Sequence, residues 1–169
     1  VQMRGIGRQL IGVDEPEVTV GDDTFAAEVV HYDPDVDVAV LAYDSGDTEP
    51  LRFGRPAATG TGVAVLGYPE DGPYDVQPAR VRSEQRLRSP DIYGEGAVIR
   101  DVYSLRGLIR PGNSGGPVLS ARGNVVGVVF AASVSDRETG YALTAEQVAE
   151  SADAGIGSST EVSTGGCAG

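Results

Sequence analysis

Apolar and β-branched residues alternate with polar ones in short runs along most of the chain, which predicts strands and little helix. The predicted strands are Glu17–Val20, Thr24–Tyr32, Val36–Tyr43, Leu51–Phe53, Val63–Gly67, Val76–Leu87, Ala97–Leu105, Pro117–Leu119, Val125–Ala131 and Gly140–Leu143. Between them stand turn formers such as Gly21-Asp22-Asp23, Asp71-Gly72-Pro73 and Arg122-Gly123-Asn124, which supply positive or fixed φ. One helix is expected. Thr144 caps it, Gln147 three residues on completes a capping box, Val148 gives it an apolar face and Gly155 ends it. The stretch Gly54–Gly62, poor in bulky side chains, reads as a crossover between two β units. After Gly155 the Gly, Ser and Thr content predicts a mobile tail.

Composition narrows the chemistry. All 13 cations are arginine, so a Walker A loop, a Schiff-base lysine and a Ser-Lys dyad are excluded. One histidine (His31) and one cysteine (Cys167) cannot assemble a Cys/His zinc site, and no cofactor is called for. The net charge of -12 is concentrated in residues 1–50, a sign that argues against nucleic acid and anionic lipid as partners. The longest apolar stretch, Val125–Ala132, is far short of the ~18 residues of a membrane span. Residues 1–11 carry no apolar signal-peptide core.

The most informative segment is Pro111-Gly112-Asn113-Ser114-Gly115-Gly116-Pro117. Glycines on both sides of one serine allow a tight loop that projects the Ser114 hydroxyl while the amides of Gly112 and Ser114 face one concavity. Two preorganised donors about 3 Å from a developing oxyanion are what acyl transfer needs. A Gly-rich β-turn without chemistry is the bland reading of such a loop.

The segment resembles the nucleophile loop of the chymotrypsin-like (trypsin-fold) serine proteases, in the form frequent in bacterial HtrA-type enzymes. Val36-Asp37-Val38-Ala39-Val40-Leu41, whose Asp37 lies 77 residues before Ser114, resembles the segment bearing the family's triad aspartate. Gly67-Tyr68-Pro69 resembles the start of the second barrel, Gly123–Val129 the strand after the nucleophile and Gly140–Leu143 the last barrel strand. Tyr32-Asp33-Pro34, Pro90–Gly94, Arg100–Tyr103 and Thr164–Cys167 bring it closer to the protease domains of actinobacterial membrane-anchored serine proteases linked to acid resistance, over roughly residues 12–167.

The resemblance implies an all-β fold of two antiparallel six-stranded barrels with a short C-terminal helix. Residues 1–11 match nothing, 12–56 form a partial first barrel, 57–154 form the second barrel plus helix, and 155–169 form the tail. It implies a serine endopeptidase acting on polypeptide, extracytoplasmic, in a parent protein tethered to a membrane that this chain does not itself contact. Ser114 would be the nucleophile, Gly112 and Ser114 the oxyanion donors and Asp37 the orienting acid. The specificity pocket would be lined by Leu108, Phe130, Ala131, Ala132, Gly140 and Tyr141, with Leu108 at its base. No carboxylate is among them, so small or apolar residues fit better than Lys or Arg. Arg110 either holds the loop or touches substrate.

One family feature has no counterpart. The triad histidine belongs in the place of residues 1–11, which read VQMRGIGRQLI, and His31, six residues before Asp37, reads as a surface imidazole near Asp33 and Asp35. Two or three first-barrel strands and the family's partner for Cys167 also map to that upstream region, so the expectation is a shortened copy of a longer protease. The alternative is an inactive protease-fold module that binds peptide or a partner at sheet edges. Calcium on Asp33, Asp35, Asp37 and Asp44 is disfavoured because Val38 stands where an EF-hand loop needs glycine. Gly60-x-Gly62 as a nucleotide loop fails for want of a third glycine, since Val65 holds that position.

Overall fold

The computed structural model describes residues 2–4, 15–44, 49–93 and 96–165. Most of segment 1–11 and all of Cys167 therefore lie outside the described residues. The protein is mostly β with one short C-terminal helix. The strands are β1 (Gln2–Arg4), β2 (Glu17–Val20), β3 (Asp23–Ala26), β4 (Glu28–Asp33), β5 (Val38–Ala42), β6 (Gly62–Gly67), β7 (Asp75–Pro90), β8 (Ala97–Arg106), β9 (Pro117–Ser120), β10 (Val125–Ala132) and β11 (Thr139–Thr144). Helix α1 spans Ala145–Gly155.

Six of the strands form a closed ring of hydrogen-bonded neighbours, in the order β6, β7, β8, β11, β10, β9 and back to β6. All six pairings are antiparallel, so inward positions recur every second residue and fill the ring with Val63, Val65, Val81, Tyr103, Leu105, Val118, Val129 and Ala142. Ahead of the ring, β1, β5 and β4 make a three-stranded sheet and β2 and β3 a hairpin. Strand β5 is buried on both faces: Ala39 and Leu41 pack with Val18, Ala27 and Val29, while Val38 turns toward the ring.

Three expected elements differ in detail. The run Thr24–Tyr32 is two strands, because its first half pairs with β2 and its second with β5; the β2 ladder ends where Ala27 donates to Pro16 O at 2.9 Å, since proline has no N–H to return. Leu51–Phe53 is not a strand; it touches the ring through a single bridge from Phe53 to Val125. Strand β7 is longer than its apolar run, since its outer half is held by pairing with β8 up to Pro90↔Ala97.

The helix forms with half of the expected capping box, because Gln147 Oε1 accepts the Asp101 amide of β8 at 2.8 Å and does not reach back to Thr144. Thr144 Oγ1 accepts the Gln147 amide at 3.4 Å, and Ala145, Val148 and Ala152 give the buried stripe. It packs against β10 and β11 of the ring and against β4 and β5. Gly155 approaches Val40 so closely that a β-carbon there would lie 2.6 Å from Val40 Cγ1. The segment after the helix is tied to the body at two points. The Val162 amide donates to Val29 O at 2.8 Å, and Thr164 is buried beneath Tyr93, whose hydroxyl donates to Thr164 O at 3.4 Å. Among the described residues no helix is long and apolar enough to cross a membrane.

Candidate active site

The Ser114 loop joins a turn after β8 to the start of β9, and its shape is fixed by the peptide groups around the serine. The carbonyl of Pro111 accepts the Glu70 amide at 2.8 Å. A trans peptide carries its C=O and N–H in opposite directions, so the Gly112 N–H points away from residue 70. One peptide on, the carbonyl of Asn113 accepts the Gly116 amide at 2.9 Å, which likewise turns the Ser114 N–H outward from the loop. Among the described residues, neither amide nor the Ser114 hydroxyl has a hydrogen-bond partner.

Two glycines are needed here for space. Gly112 has φ 90°, and a β-carbon on it would lie 2.5 Å from Tyr68 O and 2.8 Å from Glu70 N. Gly116 presses its α-carbon against the Leu66 carbonyl, with no room for any side chain. On its other flank the loop is stitched to β10: Gly115 N donates to Val129 O at 2.7 Å and Val129 N to Gly116 O at 3.0 Å.

Asn113 is completely buried and clamps the loop's entrance. Its Oδ1 accepts the Arg110 amide at 2.9 Å while its own amide donates to Arg110 O at 3.0 Å. The bareness of Gly67 makes room for its Nδ2, which has no acceptor among the described residues. Arg110 is a brace for the loop: its Nη2 meets Asp75 Oδ2 at 2.7 Å and its Nη1 lies 4.0 Å from Glu70. Both acids flank the segment that holds the Pro111 carbonyl. The sequence left Arg110 open between two roles because Asp75, 35 residues away, is brought to it only by strand pairing.

Asp37 closes the turn Pro34–Asp37 with φ 65°, a left-handed conformation that aspartate tolerates better than most side chains. The turn is set by Asp33, whose Oδ1 accepts the amides of Asp35 (3.0 Å) and Val36 (3.1 Å). Val36 and Val38 on either side of Asp37 share one cluster with Leu87, Val102, Phe130 and Tyr141 of the ring. Since Phe130 follows Val129, the residue stitched to Gly115, that one cluster links the neighbourhoods of Asp37 and Ser114.

Of the expected pocket residues, Phe130 and Tyr141 stand together with ring centroids 6.4 Å apart. Ala131 and Ala132 continue half-buried along β10, paired with Tyr141 and Gly140 across β11. Leu108 is 43% exposed, while its neighbour Ile109 is the buried one, packed against Gly140. Sequence reading missed Ile109, because one residue's difference in register exchanges inside for outside. His31 is half-buried in β4 opposite Val40, with its Nε2 shielded and lacking a partner among the described residues, so it is less a surface imidazole than its acidic surroundings imply. Two open depressions of about 360 Å³ lie elsewhere, one between Ala79 and Glu138 and one between Ala27 and Tyr43; neither includes Ser114 or Asp37. Among the described residues no group of three acidic, His or Cys side chains is placed to hold a metal.

Residues 7–128 match the family model of the trypsin-like peptidase domain. The serine protease Rv3671c of Mycobacterium tuberculosis strain H37Rv is 48% identical over 158 residues, which is 92% of this chain and 40% of that protein. The chain thus spans less than half the length of this curated relative. The crystal structure of the Rv3671c protease in its active form superposes with a TM-score of 0.92 at 46% identity, covering 99% of this chain and 74% of that one. The inactive form of the same protease gives 0.79 at 45% identity, covering 89% and 77%. A buried asparagine, a serine between crowded glycines and an aspartate carried in by the neighbouring sheet are arranged on a scaffold that these likenesses share: the chain belongs to the trypsin-like peptidase domain family.

Proposed function

We propose that this domain hydrolyses peptide bonds through an acyl-enzyme on Ser114. The observation that carries the reading is the pair of carbonyls, Pro111 and Asn113, tied back into the protein so that the amides of Gly112 and Ser114 are left to donate outward. The closer likeness to the active than to the inactive form of the tuberculosis protease supports the same arrangement.

In this reading the Ser114 oxygen attacks the scissile carbonyl carbon, and the two amides hold the resulting oxyanion. The serine proton would pass to a triad imidazole oriented by Asp37, which the family carries upstream of that aspartate and residues 1–11 do not contain, and from it to the leaving amine; water would then hydrolyse the ester. Phe130, Ala131, Ala132, Gly140 and Tyr141, with Leu108, wall an uncharged pocket suited to small or apolar residues. The closed ring is the second barrel of the family, residues 57–154, and strands β2 to β5 of residues 12–56, joined by β1, are an incomplete first one. The domain would serve outside the cytoplasm in a membrane-tethered parent.

The imidazole is the one part these residues do not place beside Asp37. His31 shares the face of β4 and β5 that carries Val40, the residue that meets the end of α1. That observation favours a second reading, a protease-fold module that binds peptide and turns it over slowly or not at all. Fluorophosphonate capture separates the two. Rapid labelling abolished by Ser114→Ala supports the hydrolase, whereas peptide binding with no labelling above that variant supports the module.

A further inference from the structure

Strand β8 carries a cation on a buried face. Arg100 is 3% exposed. Its Nη1 donates to Ser89 Oγ and to Pro90 O at 3.2 Å, and its Nε is shielded without a partner among the described residues. Leu87 is its register partner on β7 and Val102 lies two residues along β8, so the three side chains share one face of the ring. Leu87 and Val102 pack against Val36 and Val38. Arg100 therefore belongs to the surface that receives the Asp33–Asp37 turn, with Asp37 between the two valines.

Burial lowers the Arg100 pKa, opposed by the charges of Asp37, Asp35, Asp91 and Asp33, in that order. A guanidinium does not shed its proton in a protein, so its burial demands facing carboxylate. The remaining titratable neighbour, Tyr32 of β4, is held neutral to high pH by burial, by its hydrogen bond with Tyr93 and by the charge of Asp37.

We propose that Arg100 is a positioning residue for Asp37, holding its carboxylate ionised and aimed across the junction between the N-terminal sheet and the ring. The catalytic meaning of this placement rests on the reading of Asp37 as the orienting acid; the charge coupling does not.

The test is a carboxyl NMR titration of Asp37 in the full 169-residue chain. Replacing the cation in R100M removes an attraction that favours the carboxylate, so the Asp37 midpoint rises by about one unit or more. In R100K it returns toward the wild-type value. An unmoved midpoint in R100M, or one that R100K leaves raised, overturns the proposal. Should R100M not fold, D37N serves, since asparagine tolerates the same left-handed backbone. The Arg100 Nε–H resonance shifts more in D37N than in D33N or D35N, and an equal or smaller shift overturns the assignment. Loss of fluorophosphonate capture alone would sink the peptidase reading and leave these shifts untouched.

Discussion

The Glu70 amide holds the Pro111 carbonyl at 2.8 Å, and through the rigid peptide plane this bond sets the direction of the Gly112 N–H. Glu70 itself has φ 55°, so a left-handed residue in the turn after β6 steers a donor in a loop 42 residues later. Gly112→Ala places a methyl 2.5 Å from Tyr68 O and forces the loop to move. Its expected result is a drop in fluorophosphonate capture of about 10²-fold, the scale of losing one oxyanion donor. Circular dichroism should show the fold retained. Unchanged capture would remove the Gly112 amide from the chemistry.

Asp75 and Arg110 brace the same loop from the mouth of the ring. Both side chains are about 30% exposed, so solvent screening limits the pair to about 1 kcal/mol. Asp75→Asn and Arg110→Gln should each lower the melting temperature slightly and slow capture more than stability alone explains. The double variant should be no worse than the poorer single one. Strict additivity in that cycle argues against a working contact.

Tyr103 is buried inside the ring, and its hydroxyl oxygen accepts the amide of Ala57 at 3.0 Å. This anchors the segment between the N-terminal sheet and the ring. Tyr103→Phe leaves a buried N–H without an acceptor and should cost about 1–3 kcal/mol by urea unfolding. A cost near zero means the amide finds another partner.

Asp136 sits in the turn between β10 and β11, where Thr139 Oγ1 donates to Oδ2 at 2.7 Å and the Glu138 amide to Oδ1 at 3.0 Å. These bonds favour the carboxylate and lower its pKa, the Thr139 hydroxyl contributing most. With the folded value depressed, the stabilisation is present above the unfolded pKa and is lost as pH falls through the folded one. Thr139→Val should move the Asp136 titration back up toward the ordinary carboxylate range by NMR. An unchanged midpoint assigns the shift to the backbone.

What was legible in the sequence is what depends on neighbours along the chain. Alternation located the ring strands, because successive side chains of a strand point to opposite faces, as the alternating burial of β7 shows. The Thr144–Gln147 cap and the crowded glycines around Ser114 also follow from local chemistry. Contacts made by topology were not legible. Nothing in the run VIRDVY says that Arg100 faces the turn bearing Asp37, 63 residues earlier, nor that Asp75 reaches Arg110. The split of Thr24–Tyr32 was hidden because its two halves pair with different strands, β2 and β5, and no periodicity reports the change of partner. The segment after Gly155 reads as tail by composition, yet the Val162 amide finds an acceptor on β4 and the Thr164 carbonyl a donor in Tyr93, both far from it in sequence.

Gly155 ends the helix against Val40, with 2.6 Å left for a methyl that is not there. Because α1 leans on the ring with one stretch and on the N-terminal sheet with another, this missing methyl gauges the spacing of the two halves. A substitution that wedges the helix off Val40 would spread the halves, one bearing Asp37 and the other Ser114, without touching either residue. The spacing between the half that carries Asp37 and the half that carries Ser114 is thus set at a glycine that touches neither.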